Sequence, residues 1–221
     1  MVAVDGPAGA GKSSACRALA RRLGFTYVDT GAMYRAVGVL AAERGVDPDD
    51  AAALARLVAR LDFALAGERL LVAGRDLSAA IRRPDAGELA SRVSTQPVVR
   101  QRLVALQRAL GAAGGVVMEG RDIGTVVFPD ASVKLYLDAK PAARAARRAA
   151  ELRARGETVD EAALARELAE RDRRDAGRAH SPLRPAPDAV VLDTTLLTLE
   201  QVVESMERVV RARWGEGAPA G

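Results

Sequence analysis

Gly6-Pro7-Ala8-Gly9-Ala10-Gly11-Lys12-Ser13 decides the reading of this chain. The run fits G-x-x-x-x-G-K-[ST], the P-loop pattern, in which backbone N–H groups turn inward around phosphate oxygens. At this chain's own Gly, Lys and Ser/Thr frequencies a chance match would arise in about 1 of 600 such sequences. The flanks agree with the motif. Met1–Val4 reads as a strand running into Asp5, and a helical pattern continues from Ser13. The glycines permit the turn and the helix N-terminus adds positive potential. Lys12 reaches the β/γ-phosphates, and Ser13 can hold Mg²⁺. Gly6, Pro7, Ala8, Gly9, Ala10, Gly11, Lys12, Ser13 and Ser14 are thus the expected donor-binding residues.

Working outward, four more apolar runs read as strands: Phe25–Asp29, Gly115–Glu119, Ser132–Leu137 and Ala189–Leu192. They are rich in Val and lack clean polar alternation, as strands buried on both faces of a parallel sheet do. Helical patterns cover Ser13–Leu23, Gly31–Arg44, Asp49–Leu61, Pro97–Leu110, Pro141–Arg155, Asp160–Asp175 and Leu199–Trp214. Strand alternating with helix predicts a doubly wound α/β core. The gap from Asp29 to Gly115 is too long for one crossover and must hold an insert. Within it Gly67–Gly74 reads as a hairpin piece. A second, Arg-rich helical stretch precedes the last strand, with a hinge at Arg155-Gly156-Glu157. The expected division is core at 1–28, insert at 29–110, core at 111–143, a lid with connecting helices at 144–180, core at 181–214 and a frayed tail at 215–221.

Composition narrows the classes. The chain has 221 residues, 49% of them hydrophobic, so it is too apolar for disorder. With three Phe, three Tyr and one Trp, the core must rest on Ala, Leu and Val. One cysteine, Cys16, excludes an internal disulfide and suits a reducing compartment. No apolar run has the length of a membrane span, and the motif at residue 6 leaves no room for a leader. A cytoplasmic protein without a membrane partner is expected. The formal net charge is +4. Of the 33 basic residues only Lys12, Lys134 and Lys140 are lysine. Acidic residues are interspersed with the arginines and aromatics are scattered, so a nucleic-acid partner is not expected.

A P-loop alone leaves ATPases, GTPases and small-molecule kinases open. A guanine-reading Asn-Lys-x-Asp is absent, and two inserts suit a kinase that must close over its acceptor. In Asp29-Thr30-Gly31-Ala32-Met33-Tyr34-Arg35, Thr30 is a helix N-cap candidate and Arg35 can hold a second phosphate near the helix start. The third strand runs into Glu119-Gly120-Arg121-Asp122-Ile123-Gly124-Thr125, at a strand end where open α/β sheets bind ligands. Arg121 can bind a phosphate bidentately, and Asp122 can accept a hydrogen bond from an exocyclic amino group. Arg171, Asp175 and Arg178 share a helical face by spacing, and Arg144, Arg148 and Arg155 stripe the preceding helix. Residues 144–178 hold ten Arg and eight Asp/Glu; taken alone, such a run is a solvated face. His180 has no partner motif, Cys16 reads as core, and Met33 and Tyr34 read as packing. These residues leave open a kinase for UMP, dTMP or shikimate, and a nucleotide-dependent switch.

Taken together, Gly6–Ser14, Asp29–Arg35, Glu119–Ala131 (E-G-R-D-I-G-T-V-V-F-P-D-A), Arg171–Arg178 and Ala189–Thr195 (A-V-V-L-D-T-T) resemble the bacterial cytidylate kinases. The likeness runs in order along nearly the whole chain, and Gly120–Asp130 is its most specific part. Asp76-Leu77-Ser78, followed by Ile81-Arg82, looks like the longer acceptor insert of the bacterial enzymes. The resemblance implies a P-loop kinase fold: a five-stranded parallel sheet flanked by helices, with an acceptor-binding insert and a short lid. It implies transfer of the γ-phosphoryl group of ATP, with Mg²⁺, to CMP or dCMP. Arg35 and Arg121 would then hold the acceptor phosphate. Thr30 stands where many relatives carry Ser. Ser91, Arg100, Asp122 and Arg178 would surround the cytosine, and Arg171 and Asp175 would contact the pentose. Arg147 or Arg148 would reach the ATP phosphates from the lid. A monomer is expected.

Overall fold

Val2, Ala3 and Val4 are wholly buried, and their strand is the middle one of a five-stranded sheet. The computed structural model describes residues 1–66, 69–178 and 181–215. The chain divides into two compact units, one formed by Met1–Val28 with Ala113–Gly221 and the other by Asp29–Ala112.

In the first unit the strands β1 (Val2–Asp5), β2 (Thr26–Asp29), β6 (Val116–Glu119), β7 (Val133–Asp138) and β8 (Val190–Asp193) form one sheet in the order β2-β6-β1-β7-β8. β1 pairs in parallel with β6, Val2 opposite Val117, and with β7, Val2 opposite Val133. β7 pairs in parallel with β8. Unbroken Val/Leu runs suit this position, because both faces of the central strands are covered. Helices α1 (Lys12–Leu23) and α8 (Leu199–Trp214) contribute Cys16, Leu19, Val203 and Met206 to the core on the sheet. Trp214 closes the end of α8 against Phe25, with ring centroids 5.5 Å apart. Helices α6 (Pro141–Arg153) and α7 (Glu161–Ala176) pack on each other through Ala149, Leu164 and Leu168. Gly156, at φ +83°, turns the chain between them.

The second unit has its own core. Helices α2 (Thr30–Glu43), α3 (Ala51–Ala59), α4 (Ala86–Val93) and α5 (Pro97–Gly111) pack with a three-stranded sheet, β3 (Phe63–Ala66), β4 (Arg69–Val72) and β5 (Arg75–Asp76). Leu54, Leu77, Val99 and Leu103 are fully buried there. α2 and α4 come so close at Gly38 that a Cβ would lie 2.8 Å from the Leu89 backbone carbon. No larger residue fits at this crossing.

The five core strands and seven helices read from the sequence are present within a few residues. The short elements not foreseen include α4, a 3₁₀ turn at Ala80–Arg82 and a π-helical turn at Ile123–Val127. The expected hairpin piece is the middle of a three-stranded meander, and Gly67 and Glu68 lie outside the described residues. The cap of α2 is Asp29, not Thr30: Ala32 N donates to Asp29 Oδ1 at 2.9 Å. A carboxylate one residue earlier reaches the orphan amide, so the Thr30 side chain is left buried within the first turn. α6 ends at Arg153, so Arg155 is not on its stripe. α7 ends at Ala176, with Gly177 as its cap, so Arg178 lies past the helix.

Candidate active site

The carboxyl end of β1 leads directly into the phosphate loop. Gly6 has φ +145°, and a Cβ there would fall 2.0 Å from the Leu137 carbonyl oxygen of neighbouring β7. Only glycine lets the loop leave the sheet so close to the adjacent strand. Lys12 is buried, and its ammonium donates to the Pro7 carbonyl at 2.6 Å, folding back across the loop. Burial pushes the Lys12 amine down to about 7; Arg121 and Arg171 push the same way, and Glu119 and Cys16 oppose them. Phosphate oxygens would relieve that burden, so the loop is electrostatically poised for an anion. Ser13 and Ser14 are exposed at the loop's mouth.

β6 ends in Glu119, which is buried and accepts a hydrogen bond from the Tyr27 hydroxyl. Arg121 donates from Nε to Asp175 Oδ2 at 3.1 Å, and Arg178 donates from Nη2 to Asp175 Oδ1 at 2.5 Å. Asp175 thus holds two arginines at once, one on each carboxylate oxygen. Burial raises its pKa, but Arg121, Arg178 and Arg171 outweigh burial and hold it below the usual carboxylate value. Although Arg178 is off the helix, it still meets Asp175 as the spacing suggested. Asp122 is buried and opens a π-helical turn, Ile123–Val127. Such turns recur at functional sites.

Three of the four arginines of α6, Arg144, Arg147 and Arg148, meet three different fates. Arg144 is buried: it donates to the carbonyls of Ala139 (3.0 Å) and Ala8 (3.1 Å) and pairs with Asp172 at 2.6 Å. Arg147 donates to the Thr194 hydroxyl at 3.0 Å and to the Thr194 carbonyl. Thr194 in turn donates to Ala10 of the phosphate loop at 3.1 Å. Arg148 pairs along the helix surface with Glu151 at 3.0 Å. Arg147 is therefore tied to the loop's surroundings, and Arg148 is not.

In the second unit, Arg35 is held by Asp29 Oδ2 at 2.7 Å, at the N-terminal turn of α2. Ser91 on α4 is buried, and its hydroxyl has no hydrogen-bond partner among the described residues. Arg100 on α5 is also buried, with its guanidinium 5.8 Å from the centre of the Tyr34 ring. Cys16, Met33 and Tyr34 are buried core residues. His180 lies outside the described residues.

Sequence reasoning missed Asp5, Asp172 and Thr194, and placed Arg144 only in a stripe along its helix. Asp5 accepts backbone hydrogen bonds from Ile123 and Gly124, each at 2.8 Å. Each of the four stands beside a recognised motif, but only contacts between distant segments reveal its work.

A phosphate loop on the first strand of a parallel sheet, with a buried lysine and arginines on the neighbouring strand's end, defines a P-loop phosphotransferase. The family model for cytidylate kinase matches residues 2–212. A cytidylate kinase from Geobacter sp. (strain M21) is 51% identical, covering 98% of this chain and 95% of that protein. One from Pelotomaculum thermopropionicum is 49% identical, covering 96% of each. One from Solibacter usitatus is 47% identical, covering 98% of this chain and 94% of that protein. The chain belongs to the cytidylate kinase family.

Proposed function

We propose that this chain transfers the γ-phosphoryl group of ATP to CMP, and also to dCMP. The observation that carries the reading is Lys12, buried in the phosphate loop with its amine depressed by burial and by Arg121 and Arg171. The acceptor phosphate oxygen attacks the γ-phosphorus in line, the bond to the β,γ-bridging oxygen breaks, and ADP leaves. The second pKa of a phosphate monoester is about 6, so the nucleophile is already ionised at neutral pH and needs no side-chain base. Lys12 and the arginines position the two phosphates and neutralise the charge that develops between them.

Mg²⁺ fits this site as a passenger of the nucleotide. Ser13 offers an exposed hydroxyl, and no cluster of three metal-binding side chains occurs among the described residues. Such sites hold Mg²⁺ largely through substrate phosphates. When bound, it would be held by the Ser13 hydroxyl and would add Lewis-acid neutralisation of the phosphates.

For the acceptor, Arg35 and Arg121 are proposed to hold the CMP phosphate, with Thr30 beside it. Ser91, Arg100, Asp122 and Arg178 are proposed to face cytosine, and Arg171 and Asp175 the pentose. The partnerless buried hydroxyl of Ser91 supports this assignment, because a ligand would satisfy it. The α6–α7 pair is proposed as the lid, bringing Arg147 or Arg148 to the ATP phosphates. A coupled ATP-consumption assay across CMP, dCMP, UMP, AMP and shikimate tests the reading. CMP should exceed UMP in kcat/KM by about 100-fold or more, since a buried acceptor is unpaired with the wrong base. Equal rates with UMP would overturn it.

A further inference from the structure

The tip of the phosphate loop rests on the first turn of α6. A Cβ on Gly9 would lie 3.0 Å from both the Cβ and the carbonyl oxygen of Arg144. Ala8 packs beside the Ala149, Leu164 and Leu168 cluster. Two loop carbonyls are caught on this side. Arg144 Nη1 donates to the Ala8 carbonyl at 3.1 Å, its Nε donates to the Ala139 carbonyl at 3.0 Å, and Asp172 of α7 pairs with the guanidinium at 2.6 Å. Two residues along the loop, the buried Thr194 hydroxyl lies 3.1 Å from the Ala10 carbonyl and 3.0 Å from the Asp138 carbonyl. A hydroxyl has one proton to give. The Asp138 carbonyl already accepts from Thr194 N at 2.7 Å, so that proton serves Ala10. Arg147 holds the hydroxyl in turn, donating from Nη1 to it at 3.0 Å and from Nη2 to the Thr194 carbonyl.

In a trans peptide the carbonyl of one residue and the N–H of the next point in opposite directions. The Ala8–Gly9 and Ala10–Gly11 peptides are both trans. Drawing the Ala8 carbonyl onto Arg144 therefore turns the Gly9 N–H away from that guanidinium. Drawing the Ala10 carbonyl onto Thr194 turns the Gly11 N–H away from Thr194 in the same manner. We propose that Arg144 and the Arg147–Thr194 pair are positioning residues for the donor nucleotide: they hold the Ala8 and Ala10 carbonyls on the outer side of the loop and so present the Gly9 and Gly11 amides to its phosphates. This rests on the reading of the loop as the ATP site.

The loop needs such holds. Gly9 and Gly11 stand at φ +76° and +87°, and glycine has no side chain to restrict how either peptide plane turns. A cation on a carbonyl also polarises the peptide, which makes its N–H a stronger donor. Arg144 and Arg147 are three positions apart, on one face of α6, so a single docked helix sets both planes. Asp172 fixes the direction of the Arg144 fork from α7, and the Ala139 carbonyl fixes it from the end of β7.

The experiment measures the Kd for ATP by calorimetry, and KM for ATP and for CMP, in wild type, Thr194→Val, Thr194→Ser, Arg144→Lys and Lys12→Met. Val keeps the shape of Thr without its hydroxyl. Lys keeps a charge beside Asp172 but lacks the planar fork that reaches two carbonyls at once. Thr194→Val and Arg144→Lys should each weaken ATP by about 10-fold in Kd and KM, as the loss of one hydrogen bond to a charged group does, with the CMP KM unchanged. Thr194→Ser keeps the hydroxyl and should restore ATP affinity. NMR spectra of isotope-labelled glycine amides give the site: Thr194→Val should move the Gly11 amide and Arg144→Lys the Gly9 amide, with Gly24, Gly45 and Gly114 unmoved. A merely structural role would lower the active fraction, and with it kcat, leaving the ATP Kd and both KM values alone; that result, or equal rises in KM for ATP and CMP, overturns the proposal. If Lys12→Met loses ATP and the Thr194→Val and Arg144→Lys variants do not, the reading of the loop stands and the proposal alone fails. If Lys12→Met binds ATP as wild type does, that reading fails and the proposal falls with it. Should neither Thr194→Val nor Arg144→Lys fold, the wild-type glycine spectrum decides: ATP should shift the Gly9 and Gly11 amides, and unmoved amides overturn the proposal.

Discussion

Replacing Arg144 with Met should destabilise the first unit far more than the same change four residues later, at Arg148. Arg144 is 7% exposed at its side chain and its partner Asp172 is 23% exposed. The guanidinium also donates to two backbone carbonyls, Ala139 at the exit of β7 and Ala8 in the phosphate loop. Met retains most of the apolar stem, so the loss is the charge and its donors. Breaking a buried ion pair from one side costs about 3–5 kcal/mol, because the remaining charge is stranded. For a protein of this size that is a fall in Tm of roughly 6–20 °C. Arg148 pairs with Glu151 at a surface where the side chains are 34% and 55% exposed, and such pairs contribute about 0–1 kcal/mol. Thermal unfolding followed by circular dichroism gives both values. A cycle adding Asp172→Asn should show a coupling of at least about 1 kcal/mol, as neighbours in one network do. Equal Tm shifts for Arg144→Met and Arg148→Met, or additive effects of Arg144→Met and Asp172→Asn, would refute the reasoning.

Three further outcomes follow from the site. Lys12 has its amine held at about 7 by burial, and ATP should restore the ammonium; binding at pH 8 should therefore take up close to one proton in wild type and none at this position in Lys12→Met. Calorimetry in buffers of different ionisation enthalpy reads the proton count, and zero uptake in wild type would contradict the assignment. Ser91→Ala removes a buried hydroxyl without a hydrogen-bond partner, so stability should hold within about 0.5 kcal/mol while the KM for CMP rises by about 10-fold; an unchanged KM would remove Ser91 from the acceptor site. Gly6→Ala drives a methyl group to 2.0 Å from the Leu137 carbonyl oxygen, and should lower stability by about 2–4 kcal/mol and abolish nucleotide binding, as read by denaturant titration and ligand-induced Tm shift; normal binding would show that the loop can relocate.

Much of the core was legible because its signals are local. Val2–Asp5 and Val116–Glu119 are buried at every position, so apolar runs without alternation marked them, and the phosphate loop is a contiguous motif. What escaped depends on contacts between distant segments. Asp5 and Ile123 are 118 positions apart, and nothing about an aspartate at a strand end announces that it caps another segment's turn. α4 is short and follows Pro84-Asp85, so its eight residues gave too little periodicity to stand out. Thr30 was misread as a cap because Asp29 and Thr30 both have capping side chains; the choice depends on where the backbone turns helical, one residue earlier than the pattern implied.

The arginines show the same limit, and they also explain the lysine. Arg144, Arg147 and Arg148 lie within five positions of one another, yet one clamps the phosphate loop, one binds Thr194 and one lies on the surface. No periodicity separates them; which carbonyl or carboxylate each meets depends on how α6 docks. Lys12 can be argued from chemistry alone. A guanidinium keeps its charge at any accessible pH, so an arginine buried at this position would stand as a buried cation beside Arg121 and Arg171, offset in part by Glu119, whenever no phosphate is bound. An amine held at about 7 by burial can shed its proton in that state and regain it as the phosphates arrive. A chain that uses arginine for nearly every other basic position therefore needs lysine here, where the charge must come and go with the ligand.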